Sequence, residues 1–166
     1  MIRKRFLALV LATVLLGACA ETPNFDTSNV VATITPTQAT KESEMLRGQR
    51  VLWGGVIINS VNMANTTRIE VLAYPLDGNQ RPTLGSEPMG RFLINRQGYL
   101  ETVDYAPGRQ ITVVGTITGT EKGKLGESEY LYPLIESEQL HLWSKETGGG
   151  SQGPNVSFGI GVIFGH

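Results

Sequence analysis

The sequence holds a single cysteine and two histidines among 166 residues. One cysteine cannot form an internal disulfide, and one Cys with two His falls short of a structural zinc site, so no metal is expected. Charge is scarce at 17% and balanced, with 14 Lys+Arg against 15 Asp+Glu. A chain without a basic excess lacks the electrostatic footprint of a nucleic-acid binder. Long apolar runs are lacking as well. The N-terminal run from Phe6 to Leu16 covers 11 residues, against the roughly 20 that a spanning helix needs. Signatures of catalysis are missing. Gly126-Glu127-Ser128-Glu129 lacks the second glycine of a nucleophile elbow. Gly119 to Leu125 is one residue short of a phosphate loop and lacks its Ser or Thr.

What is present begins with an address. Arg3-Lys4-Arg5 is a basic start, the apolar run follows, and Leu16-Gly17-Ala18-Cys19 closes it with small residues. This is the layout of a secretory signal peptide over residues 1–18. Leu16-Gly17-Ala18-Cys19 resembles the lipobox of bacterial lipoproteins. The resemblance implies cleavage before Cys19, a diacylglyceryl group on its thiol and an acyl chain, such as palmitate, on its new amino group. Several chains make a durable anchor where one does not, and no other cofactor is implied. Ala20, where an Asp commonly retains such proteins in the inner membrane, implies export to the outer membrane. Removal of residues 1–18 takes three of the basic residues and none of the acidic ones, so the formal charge moves from −1 to −4.

After the anchor, residues 19–34 read as a polar tether. Thr35-Pro36-Thr37-Gln38 carries a helix start, with Thr35 as cap, Pro36 at the first position and Gln38 completing a capping box. A short helix is expected to run to about Arg47 and end at Gly48. The body, 35–143, patterns as strands over Arg50–Val61, Thr66–Tyr74, Arg91–Ile94, Arg109–Thr120 and Tyr130–Trp143. Gly54-Gly55 suggests a bulge or bend in the first of them, and Pro133 an edge or bulge in the last. Pro75–Gly90 and the charged Glu121–Gly126 read as loops. The expected fold is all-β: a small antiparallel five-stranded barrel, OB-like, with a short N-terminal helix; a β-sandwich is the alternative. Residues 144–166 form a Gly-rich tail. Within it Phe158, Ile160, Val162 and Phe164 share one strand face. That strand either folds back as an edge or docks, through 155–166, on an envelope protein partner.

Chemistry-bearing residues are few. Trp53, beside Gly54-Gly55, is either a core anchor or a stacking platform that a ligand approaches over the glycines. With Tyr74 and Tyr132 it forms the candidate ligand-binding set. Glu127, Glu129, Glu136 and Glu138 recur at period two, and with His141 they are the weak case for a hydrolase. His141 otherwise reads as a solvent-facing strand residue. Asp104 and Arg109 suggest an ion pair across a turn.

Four stretches and a dipeptide stand out together: Gly48-x-x-Val51-x-Trp53-Gly54-Gly55-x-Ile57, Arg68-Ile69-Glu70-Val71-x-x-Tyr74-Pro75-Leu76, Arg91-Phe92, Tyr105-Ala106-Pro107-Gly108-Arg109-x-Ile111-Thr112-x-x-Gly115 and Tyr132-Pro133-x-Ile135. Through them the body resembles the Slp family of outer-membrane lipoproteins. It implies a non-catalytic, lipid-anchored protein of the Gram-negative outer membrane, linked to starvation. The alternative is a periplasm-facing module binding a small ligand, glycan or protein.

Overall fold

A computed structural model describes residues 23–145. Its framework is five strands: β1 (Arg50–Asn62), β2 (Thr66–Ala73), β3 (Arg91–Gln97), β4 (Gln110–Leu125) and β5 (Ser128–Leu142). They form a single sheet that closes on itself in the order β1-β2-β3-β5-β4. A sandwich of two stacked sheets is therefore excluded for the described body. The expectation of purely antiparallel pairing is corrected at one seam. Leu93–Asn95 of β3 run parallel to Leu134–Glu136 of β5. Parallel neighbours need a long crossover, here supplied by β4 and the turns before it.

β2 shows the alternation most plainly. Thr67, Ile69, Val71 and Ala73 are buried while the residues between them are half-buried, as one wet face and one core face require. The core joins these to Val51, Trp53 and Ile57 of β1, Phe92 and Ile94 of β3, Ile111, Val113 and Ile117 of β4, and Ile135 of β5.

Gly54 and Gly55 sit where β1 changes partners. β1 pairs with β4 over Arg50–Val56 and with β2 over Gly55–Asn62. The bulge expected there lies further on, between Ile57 and Asn59. A Cβ on Gly55 would stand 1.9 Å from the Leu72 carbonyl oxygen, and one on Gly54 2.8 Å from that of Ile111. Neighbouring backbone occupies the space over both glycines, so no ligand approaches there.

Two short helices precede the sheet: α1 (Pro36–Lys41) and α2 (Ser43–Leu46). The Thr35 hydroxyl accepts from the Gln38 N–H at 3.2 Å, which is half of the expected capping box. The other half is absent, because the Gln38 side chain turns to Glu42 at 3.3 Å. The helix also breaks at Glu42 instead of continuing. Gly48 takes φ +82, and its N–H turns to the Ile117 carbonyl at 2.8 Å. α1 sends Ala39 into the core.

The charged segment Glu121–Leu125 belongs to β4 and pairs with Ser128–Tyr132, so the expected loop shrinks to a turn at Gly126-Glu127. Pro133 lies next to a shift of register in the β4–β5 ladder between Ile117 and Gly119. It falls just outside the stretch where β5 meets β3. The described part of the expected tether, 23–34, is packed down. Phe25 and Ile34 are buried, and Val30 forms a parallel bridge with Arg50.

Candidate functional site

Trp53 is 2% exposed. Its indole N–H donates to the Ile34 carbonyl at 2.7 Å, and its ring meets Phe92 edge-on at 5.1 Å. The structure thus gives Trp53 the role of core anchor. One flank of it also borders a partly open cavity of about 360 Å³, walled by Ile34, Leu52, Leu76 and Met89, with Thr35, Asp77 and Gln80 as polar members. Tyr74 is half-buried, bonds through its N–H to the Gly54 carbonyl at 3.0 Å, and does not line this cavity.

Tyr132 lies apart from it as well. It is 4% exposed, its ring packs on Tyr130 at 4.6 Å, and its hydroxyl reaches Glu70 at 3.3 Å and the Lys124 carbonyl at 3.2 Å. Burial, and then the Glu70 carboxylate, push its phenol above the usual range. The three aromatics expected to share a ligand face therefore do not converge.

Glu127 and Glu129 are exposed at the β4–β5 turn, whereas Glu136 and Glu138 are engaged structurally. Glu136 accepts from Asn95 at 2.8 Å and Gln97 at 3.1 Å. His141 is half-buried rather than solvent-facing, with its ring edge-on to Trp143 at 4.6 Å and Phe25 at 6.5 Å. Among the described residues no cluster of His, Cys, Asp and Glu is placed to hold a metal ion. The expected Asp104–Arg109 ion pair is replaced by main-chain contacts. The Arg109 guanidinium donates to the carbonyls of Asp104 and Trp143, each at 2.8 Å.

Glu138 belongs to a clasp that fastens the N-terminal segment. Arg50 donates to Glu138 at 2.7 Å, to Asp26 at 3.4 Å and to the Ser28 carbonyl, while Thr116 donates to Glu138 at 2.7 Å. Hydrogen bonds from Ser28, then the Arg50 charge, hold Asp26 below the usual carboxylate range. Burial alone would raise Glu138, but Thr116 and Arg50 outweigh it and hold it low too. Carboxylates depressed in the folded state contribute stability above their unfolded pKa and lose it as pH falls through the folded value. The clasp is therefore expected to hold from neutrality to about pH 4 and to open below that. Following the Arg50 Nε–H resonance against pH checks this, and opening near pH 6 would refute it.

Sequence reasoning missed Gln80 and Asp77, which sit in what read only as a loop. Gln80 adopts φ +65, a conformation that no residue-type pattern announces. The Asp77-Gly78-Asn79 triplet did carry a turn signal. The Asp77 carboxylate accepts from the N–H groups of Asn79 at 2.8 Å and Arg81 at 2.9 Å, which locks the loop. Cys19 and residues 155–166 lie outside the described residues.

The model of the outer membrane lipoprotein Slp family matches residues 16–159. The chain belongs to the Slp family. The outer membrane protein Slp of Escherichia coli is 27% identical over 139 residues, covering 82% of this chain and 73% of that protein. The uncharacterized lipoprotein YeaY of E. coli is 36% identical over 96 residues, 58% of this chain and 49% of that protein. An uncharacterized protein of Haemophilus influenzae is 36% identical over 95 residues, 57% of this chain and 51% of that one. This Slp-family chain spans about half the length of these last two curated relatives. A solved structure of Schizosaccharomyces pombe Pot1pC bound to ssDNA covers 75% of this chain and 90% of that chain. At a TM-score of 0.33 and 10% identity it carries no argument. Family membership makes the chain a lipoprotein of the bacterial envelope.

Proposed function

We propose that this protein is a non-catalytic outer-membrane lipoprotein with a structural or stress-related role, held to the bilayer by acyl chains on Cys19. The observation that carries the reading is the family match beginning at residue 16, which takes in the one cysteine of the chain at the end of Leu16-Gly17-Ala18-Cys19. No helix among the described residues is long and apolar enough to cross a membrane, and the attachment is assigned to acyl chains on Cys19. We read the body as OB-like, because a five-stranded sheet closing as β1-β2-β3-β5-β4 suits that class of partly open barrel.

The packed N-terminal segment shortens the leash. Phe25 is buried against the body, and it lies six positions along the chain from Cys19, with five residues between them. A fully extended chain spans at most about 3.5 Å per residue, so the body is held within roughly 20 Å of the headgroups. A short leash suits a protein that works at the membrane surface.

Changing Cys19→Ser tests the anchor. The wild-type protein is expected to take up labelled palmitate and to fractionate with the outer membrane. The variant is expected to lose both the label and that fraction. A variant that still co-fractionates with the outer membrane would contradict the proposal.

A further inference from the structure

The N-terminal segment leaves the body toward one end of the closed sheet. The Asp26 N–H donates to the Gln139 side chain at 2.8 Å, and Phe25, one residue nearer Cys19, meets the His141 ring edge-on at 6.5 Å. Followed toward Cys19, the chain thus climbs β5 toward Leu142. That end is the rim at which β1, β3 and β5 finish and β2 and β4 begin.

The same rim carries exposed apolar side chains. Tyr99 is 68% and Val103 76% exposed in the segment between β3 and β4, and Met63, in the turn between β1 and β2, is 49% exposed. Hydrogen bonds join the two segments. The Gly98 N–H donates to the Asn65 carbonyl at 2.9 Å, the Asn62 side-chain amide to the Leu100 carbonyl at 3.1 Å, and the Tyr99 hydroxyl to the Ala64 carbonyl. Single apolar residues are ordinary on a surface, whereas a group gathered on one rim marks a contact. Positive charge borders the group. Arg109 and Lys145, with Arg81, line a cavity of about 210 Å³ that no carboxylate of the described residues lines. The Arg109 guanidinium donates to two carbonyls and to no described acid. Glu101 and Asp104 are the acids of the β3–β4 segment, and Arg96 stands just before it near the end of β3. Apolar side chains flanked by cations suit a layer of lipid headgroups, where the cations find phosphates and a tyrosine keeps its ring dry and its hydroxyl wet.

We infer that this rim rests on the lipid surface of the membrane, with Met63, Tyr99 and Val103 set among the headgroups and Arg109 and Lys145 meeting lipid phosphates. The inference deepens the anchor reading and rests on it. A body leashed within roughly 20 Å of the bilayer meets it at high effective concentration, so individually weak contacts are enough to orient it.

The test uses the mature chain, residues 19–166, coupled through its single cysteine to a maleimide lipid in nanodiscs of phosphatidylethanolamine and phosphatidylglycerol. The leash is then in place whether or not cells acylate Cys19, so failure of the rim contact is distinct from failure of the anchor. Methionine and valine methyl resonances are followed as a doxyl-labelled lipid is added to the discs. Met63 and Val103 are expected to lose most of their intensity. Met45, 78% exposed on α2 before the start of β1, is expected to keep its own. Val103→Ser, a change at an exposed site, is expected to lower the ratio of contacting to free body about tenfold, read as recovery of the Met63 signal with Met45 unchanged. Loss at Met45 equal to that at Met63, intact Met63 and Val103 signals in the wild-type chain, or a Met63 signal indifferent to Val103→Ser would each overturn the inference.

Discussion

Gly55→Ala is expected to destabilise the protein by about 3 kcal/mol or more and to lower its melting temperature by roughly 10 °C. The methyl group would sit 1.9 Å from the Leu72 carbonyl oxygen, 2.7 Å from its carbon and 2.9 Å from the Ala73 Cα. All three are backbone atoms of a paired strand, so no rotamer change relieves the clash. β1 and β2 must separate, and because Gly55 pairs with Ile111 on its other side, that movement strains the β4 ladder as well. Gly78→Ala is the control. A Cβ there meets nothing within 4 Å, so the expected change is below about 0.5 kcal/mol. Thermal melts of the two variants side by side separate a steric demand at Gly55 from a general cost of losing glycine. Equal melting temperatures would refute it.

Trp53→Ala carries the second large effect, about 3–5 kcal/mol. The indole is 2% exposed, stacks edge-on with Phe92 and ties Ile34 to the sheet through its N–H. Truncation leaves a cavity continuous with the one already beside it and releases the N-terminal segment. Trp53→Phe keeps most of the apolar volume and loses only the bond to Ile34, so a smaller loss of about 1–2 kcal/mol is expected. Denaturant melts of both variants measure the difference. If Phe were as damaging as Ala, the N–H bond rather than the burial would be the main term.

These two residues also mark how far the sequence could be read. Alternation in Thr66–Ala73 was legible because one face meets water and the other the core. The local sequence leaves Trp53 open between core anchor and stacking platform and suggests a bulge or bend at Gly54-Gly55, whereas the register shift falls between Ile57 and Asn59. A register shift depends on the partner strand, which the local sequence does not contain. Glu121–Leu125 looked like a loop because its charges leave neither face apolar. It is a strand because the β4–β5 ribbon runs on while both its faces are wet. The parallel β3–β5 seam joins residues about forty positions apart, and the Arg50 clasp joins residues 24 and 88 positions apart. Neither leaves a local pattern.

Trp53, Tyr74 and Tyr132 lie apart in the fold, for a related reason. Trp53, Tyr74 and Tyr132 were grouped by residue type, whereas the cavity is built from the N-terminal segment, β1 and the loop after β2. Gln80 joins the lining through a loop conformation that the Thr112 hydroxyl holds, and that conformation is invisible in the local sequence. The resemblance of Leu16-Gly17-Ala18-Cys19 to a lipobox has no such dependence, because four consecutive residues carry it.

The central claim is the covalent anchor, and intact mass spectrometry of the protein extracted from outer membranes tests it most directly. The account predicts a chain beginning at Cys19 that carries a diacylglyceryl group and one further acyl chain, with the added mass confined to the N-terminal peptide. An unmodified chain, or one cleaved elsewhere with a free Cys19 thiol, would contradict it.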